Sequence, residues 1–244
     1  MQSSPVGKIP ATSSGGLTVV HSPLMVYFGM FAHEVRSQIG AAVTACEYLK
    51  RGNVSDNIVN TLTLAVTDTL GILDNMLMTV KIESGVLSVH PALESFNITE
   101  WANKTVTPFY SYPNHKQTNI VLSVSPYINM ATIVTDRVKL TQILHNLLSN
   151  AIKFCDRNTT VAVNVRVQCY KLIITVTNKG SYISADQIRN LFTPFQQLDK
   201  GKAGNGLGLY LCRIYSETLG GSIMADSKEG ITTFTVEVPV TISQ

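Results

Sequence analysis

A chain of 244 residues has room for one large domain or two small ones, and its 45% apolar content excludes wholesale disorder. The net charge of +3 comes without a block of lysines or arginines, so nucleic-acid binding gets little support. Charged residues make up only 14%, a low share that leaves room for surface covered by a partner subunit or a further domain.

Residues 1–22 are rich in Ser, Gly, Pro and Thr and read as a linker. The stretch Ile9–His33 carries no Asp, Glu, Lys or Arg, but Pro10, Pro23 and a Ser-Ser-Gly-Gly run interrupt it. What remains apolar is too short for a spanning helix, so no membrane span is expected. Cys46, Cys155, Cys169 and Cys212 are scattered without a CxxC pair, as in a reduced cytoplasmic protein.

From Pro23 to about Arg51 apolar residues recur at Leu24, Phe28, Phe31, Val35, Ile39, Ala42, Cys46 and Leu49. The steps of three and four residues make a helical seam with one stutter at Val35–Ile39. His33 lies roughly 160–200° around the helix from Phe31 and Val35, so it points away from that seam. Ser37 and Gly40 follow on its face. Gly52-Asn53 ends the helix and Ser55 caps the next, whose seam runs Ile58, Leu62, Ala65, Thr69, Ile72, Met76 and Val80 to Gly85. Two such helices form an antiparallel hairpin, and pairing with a second copy into a four-helix bundle buries what one hairpin leaves open.

After Gly85 the pattern changes. Strand-like runs at Ile120–Ser125, Thr160–Gln168, Lys171–Thr177 and Thr233–Val238 alternate with helical segments at Asp136–Phe154, Ala185–Leu191 and Leu207–Leu219. This predicts an α/β sandwich. On the helix Asp136–Phe154, Gln142, Asn146, Asn150 and Lys153 fall within a stripe about 80° wide, opposite Leu140, Leu144, Leu147, Leu148 and Ala151. A solvated stripe favours Glu and Lys. Two amides one turn apart instead suit Mg²⁺ shared with phosphates, and Lys153 adds a point charge for those phosphates. Downstream, Gly204-Asn205-Gly206-Leu207-Gly208-Leu209 opens a helix, where glycines and free N–H groups admit a phosphate. No Walker A sequence occurs.

In this order the stretches resemble the histidine kinase ATP-binding domain, of the superfamily shared with type II topoisomerases, Hsp90 and MutL. Asn146–Phe154 resembles the N box, Asn178–Tyr182 with Gly180 the first glycine box, and Leu191–Phe195 the F box. Gly204–Leu209 resembles the second glycine box and Glu229–Phe234, with Thr233, the third. Upstream, Phe31-Ala-His33-Glu34-Val-Arg36-Ser37 is similar to the family's phosphoacceptor box, and Lys81–Gly85 to the end of its second helix.

The resemblance implies an α+β chain: a linker over 1–22, a dimerisation and phosphoacceptor hairpin over 23–88, and a Bergerat-type ATP-binding domain over 89–244. It implies ATP and Mg²⁺ as cofactors, with Asn146 and Asn150 at the metal. Asn146, Asn150, Lys153, Phe154, Asn178, Gly180, Gly204, Gly206, Leu207, Gly208 and Thr233 are the implied nucleotide contacts. His33 accepts the phosphoryl group, Glu34 serves as its base, and Ser37 stands where a phosphatase activity would place water. The implied partners are a second copy, forming a homodimer, and a response regulator with a phosphoacceptor aspartate. The implied place is the cytoplasm, or the cytoplasmic portion of a longer membrane receptor.

Relatives of the topoisomerase type hydrolyse ATP with a glutamate where this chain has Asn146, so a kinase is expected over a hydrolase. Three positions depart from the family: Asn178 for aspartate, Tyr182 for glycine and Gln38 for proline. Asn178 and Tyr182 predict weakened ATP affinity, and Gln38, by removing a helix kink, predicts a change in how the hairpin bends during autophosphorylation. The contrasting expectation is a catalytically weak or inactive pseudokinase, or a histidine phosphotransfer scaffold, on the same fold.

Overall fold

The computed structural model describes residues 23–52, 55–83, 90–110, 117–126, 131–198 and 206–243. The expected linker over 1–22, Gly85, Lys200, Lys202, Gly204 and Asn205 lie outside them.

Two 28-residue helices come first, α1 (Pro23–Lys50) and α2 (Asp56–Glu83), packed as a hairpin. Gly52, at φ +82°, closes α1, and its N–H donates to the Leu49 carbonyl at 3.0 Å. The Ser55 hydroxyl accepts from the Ile58 N–H at 3.4 Å, capping α2. Ala45, Ala65 and Met76 are buried between the helices. Small residues at the centre let the backbones approach, so this core is thin. Ile39, expected in the α1 seam, is 49% exposed instead. The two successive four-residue steps from Phe31 carry it about 80° around the helix and off the seam.

The rest of the chain supplies β1 (Glu94–Asn97), α3 (Ile98–Tyr110), β2 (Asn119–Val124), β3 (Thr132–Thr135), α4 (Arg137–Phe154), β4 (Thr160–Gln168), β5 (Lys171–Lys179), α5 (Ala185–Asn190), α6 (Gly208–Thr218), β6 (Ser222–Lys228), β7 (Ile231–Pro239) and β8 (Thr241–Ser243). Five strands form one sheet in the order β2-β4-β5-β7-β6, with β2 parallel to β4 and the other pairs antiparallel. The short strands β1, β3 and β8 form a second, antiparallel sheet.

Alternation gives the large sheet two chemically different faces. Val161, Val163, Val165, Leu172, Ile174, Val176, Phe234, Val236 and Val238 are buried on the inner face. Asn164 and Arg166 are exposed on the outer one, and Thr175, Thr233 and Thr235 are half-buried there. The inner face shares one core with Trp101 and Val106 of α3, Leu144, Leu147, Leu148 and Ala151 of α4, and Leu211 and Tyr215 of α6. Each fully buried leucine of α4 stabilises this arrangement by roughly 1.5–3 kcal/mol, which fixes the helix against the sheet.

Two connections position α4. Its N-cap is Asp136, whose carboxylate accepts the Lys139 N–H at 2.9 Å, the Lys139 ammonium at 2.5 Å and the Ala92 N–H at 2.8 Å. The Lys139 ammonium also donates to the His90 carbonyl at 3.1 Å, so the segment just before β1 is clasped to the start of α4. At the other side α2 lies against α6, and its Met78 and Ile82 pack on the domain core.

The strand and helix runs read from the sequence all recur, with ends shifted by three residues at most. Sequence reasoning did not find β1, α3, β3, β6 and β8. α3 carries Ile98, Trp101, Ala102, Thr105, Val106 and Phe109 at helical spacing on its buried face, but its β-branched residues and Pro108 argue against a helix by propensity. β6 has little strand character of its own. The turn at Glu229 (φ +52°) and Gly230 (φ +76°) folds it back on β7, whose pairing makes it a strand.

Candidate functional site

Every residue of the polar stripe on α4, namely Gln142, Asn146, Asn150 and Lys153, is half-buried, and the opposing Leu140, Leu144, Leu147, Leu148 and Ala151 are buried. The helix is therefore amphipathic, but its polar side is partly covered, unlike a plain solvated face. The cover at Asn146 is α6. A carbon added at Gly208 would lie 3.3 Å from the Asn146 Oδ1 and 3.4 Å from its Cγ. One turn further along α6, Cys212 is fully buried, with its thiol directed at the Ile143 carbonyl at 3.7 Å. Burial pushes that thiol above its ordinary range, against the opposing effect of a hydrogen bond with Asn146. Asn146 thus sits against a surface of small, uncharged groups. Lys153 holds its ammonium 5.2 Å from the centroid of the half-buried Phe154 ring.

Close backbone approach brings the end of β5 to the end of α4. Cys155 and Gly180 form an isolated bridge, and the Asp156 N–H donates to the Lys179 carbonyl at 2.8 Å. A Cβ at Gly180 would fall 2.2 Å from the Phe154 carbonyl oxygen, so no side chain fits at this crossing. Two residues earlier stands Asn178, 5% exposed on the inner face, with no hydrogen bond holding its amide among the described residues.

Thr233 requires a correction. Its side chain is on the outer face of the sheet, where its hydroxyl meets that of Thr177 at 3.0 Å. Strand alternation puts Thr232, 3% exposed, on the inner face as the register partner of Asn178. Thr232 in turn meets the hydroxyl of Ser227 on β6 at 3.0 Å. The pleat decides which of two adjacent threonines faces inward, and the buried Phe234 sets the parity. Sequence reasoning also missed Ser227, which lies in a strand it did not find.

The start of α6 is held by the turn before it. Gly206 has φ +67°, and a Cβ there would fall 2.6 Å from the backbone of Phe195, whose N–H donates to the Gly206 carbonyl at 3.0 Å. Leu207 is buried beneath this junction and α6 begins at Gly208. The start of a helix, where the macrodipole is positive, suits an anionic ligand. Gly204 lies outside the described residues.

On the hairpin, His33 and Ser37 are exposed on α1, one turn apart, and nothing stands within 4 Å of where a Cβ of Gly40 would be. Phe31 and Val35, on the other side, are half-buried. The side chain of Glu34 lies outside the described residues. Among the described residues no group of three or more His, Cys, Asp or Glu could hold a metal ion. The amide pair Asn146 and Asn150 fits a magnesium ion whose remaining ligands are phosphate oxygens and water, which is the hard-oxygen set that ion takes. No described helix is long and apolar enough to cross a membrane.

Residues 135–242 match the model of the family described as histidine kinase-, DNA gyrase B-, and HSP90-like ATPase. The sensor histidine kinase RcsC of Escherichia coli (strain K12) is 29% identical over 223 residues, covering 88% of this chain but 23% of that protein. The chain therefore spans less than a quarter of this curated relative. Among solved structures, full-length ShkA in complex with AMPPNP has a TM-score of 0.62 at 21% identity, covering 89% of this chain and 46% of that one. The histidine kinase ThkA in complex with the response regulator protein TrrA has a TM-score of 0.60 at 22% identity, covering 89% and 62%. Both show the same fold.

Proposed function

We propose that this chain, whose residues 135–242 match the histidine kinase-, DNA gyrase B-, and HSP90-like ATPase family, is the core of a sensor histidine kinase that binds Mg-ATP and phosphorylates its own His33. The observation that carries this reading is the half-buried amide stripe of α4, Asn146 and Asn150, with Asn146 covered by the helix that opens at the Gly206–Gly208 turn.

Magnesium bound with the nucleotide would supply charge neutralisation at the phosphate oxygens. Asn146 and Asn150 offer it oxygen ligands, Lys153 faces the same phosphates, and the N–H groups at the start of α6 receive the rest of their charge. Asn178 and Thr232 stand at the base end. In the transfer, an imidazole nitrogen of His33 forms a bond to the γ-phosphorus while the bond to the bridging oxygen breaks and ADP departs. Glu34 takes the proton from the other ring nitrogen, keeping the imidazole nucleophilic. Asn146 cannot act as a general base, which disfavours hydrolysis of the nucleotide by water.

The phosphoryl group on His33 then passes to an aspartate of a response regulator, as the ThkA complex with TrrA suggests, and binding of AMPPNP by ShkA supports the nucleotide assignment. Ser37, one turn from His33, would serve the reverse, hydrolytic reaction. We place this core on the cytoplasmic side, within a longer sensor such as RcsC.

The hairpin supports a homodimer. Besides its inner seam, α2 carries a second one in Val59, Val66, Leu70 and Leu77, between 44% and 58% exposed. Their spacings of seven, four and seven residues line one side of the helix and would close a four-helix bundle.

Asn178 and the 62% exposed Tyr182 favour a second reading, a slow kinase or phosphotransfer scaffold on this fold. Incubation with γ-labelled ATP and Mg²⁺ decides between them. Acid-labile label on the wild type, absent from His33→Gln and Asn150→Asp, supports the kinase. Absence of both label and nucleotide binding in the wild type would leave the scaffold.

A further inference from the structure

Asn178, Thr232 and Ser227 lie side by side on the inner face of three adjacent strands. Asn178 is the register partner of Thr232, and Thr232 the partner of Ser227. All three are at least nine-tenths buried. Ser227 accepts the Ile183 N–H at 3.0 Å and shares a hydrogen bond with Thr232 at 3.0 Å. No carboxylate, ammonium or guanidinium stands in this row.

The absence of fixed charge in the row has a chemical consequence. A hydroxyl donates or accepts by rotating its proton, and an amide does either by turning over. Nothing among the described residues fixes the Asn178 amide, and its Nδ2 lies 3.3 Å from the empty position of a Gly180 Cβ. In one orientation Oδ1 accepts from a 6-amino group while Nδ2 donates to ring nitrogen N1. Turned over, Nδ2 donates to a 6-oxo group while Oδ1 accepts from the N1–H. A carboxylate in the same place has no hydrogen to offer: it accepts from a 6-amino group, leaving N1 to another donor, and sets an acceptor against a 6-oxo oxygen.

Resting on the nucleotide reading above, we propose that this row admits 6-oxopurine nucleotides as well as ATP, with Asn178 as the residue that sets the breadth. The specificity of the site is then for purine triphosphates, and the 6-substituent is not discriminated.

Calorimetric titration of the whole chain with Mg-ATP and with Mg-ITP tests this, because the two bases differ only at the 6-position and the N1 proton. The wild type is expected to bind ITP within about tenfold of ATP, and Asn178→Asp to widen that gap by about ten- to hundredfold through loss of ITP. A wild type that binds ATP but rejects ITP by a hundredfold or more would overturn the proposal. So would an Asn178→Asp variant with an unchanged ratio. If that variant does not fold, the wild-type ratio decides alone. Failure of the wild type to bind either nucleotide sinks the nucleotide reading itself, and the proposal with it.

Discussion

A single methyl group at Gly180 would collide with the carbonyl of Phe154, which cannot withdraw because it belongs to the last turn of α4. Gly180→Ala should therefore lower stability by about 1–3 kcal/mol, read as a reduced midpoint of denaturant unfolding. A midpoint within error of the wild type would show that the β5–α4 crossing has slack. Adjacent threonines on β7 allow a sharper test of the site. Thr232→Val deletes an inner hydroxyl beside Asn178, and Thr233→Val deletes an outer one bonded to Thr177. The first should weaken nucleotide binding by about 1–2 kcal/mol and the second should leave it unchanged, as measured by calorimetry. Equal losses would mean that the sheet face does not decide. At this scale the sequence offers Asn146, Asn150, Gly206 and Gly208 as candidates, because amides at helical spacing and clustered glycines are unusual without a ligand. It did not mark Thr232, since the inward parity of a strand comes from what packs behind it.

Among the elements, α4 depends on its first turn. Burial alone would raise the Asp136 carboxyl, but hydrogen bonds from the Lys139 side chain and backbone and from the Ala92 N–H outweigh it and hold the group below its ordinary range. A lowered folded pKa means that the native state favours the carboxylate. Its stabilisation is fully present above the unfolded value of about 3.9 and is lost as pH falls through the lower folded value. Asp136→Asn removes the charge opposite the 14% exposed Lys139 side chain and should cost about 2–4 kcal/mol near neutral pH. It should also flatten the acid limb of stability, followed as melting temperature from pH 7 to pH 3. An acid limb as steep as that of the wild type would assign it to other carboxylates. The cap itself was legible, with Asp136 placed at the helix start. Its bond to Ala92, 44 residues earlier, was not, because no local pattern reports a long-range partner.

Taken whole, the molecule buries one large core in the mixed domain and leaves the hairpin half-closed. If the second seam of α2 meets a copy of itself, Leu70→Glu together with Leu77→Glu should halve the solution mass found by light scattering. The mixed domain should keep its thermal transition, because neither residue belongs to its core. A wild type that is monomeric at working concentration would remove the dimer from the proposal.

The sequence by itself determined the hairpin, the α/β alternation, the exposed side of α1 bearing His33, and the paired amides of α4. Each of these is a matter of periodicity, and periodicity is written in the order of the residues. Only the tertiary structure decided that Ser222–Lys228 is a strand, that Thr232 and not Thr233 faces inward, and that Gly208 and Cys212 cover Asn146. Those facts depend on which surfaces meet. Burial, register and clearance arise between segments distant in the chain, so they have no local signature to read.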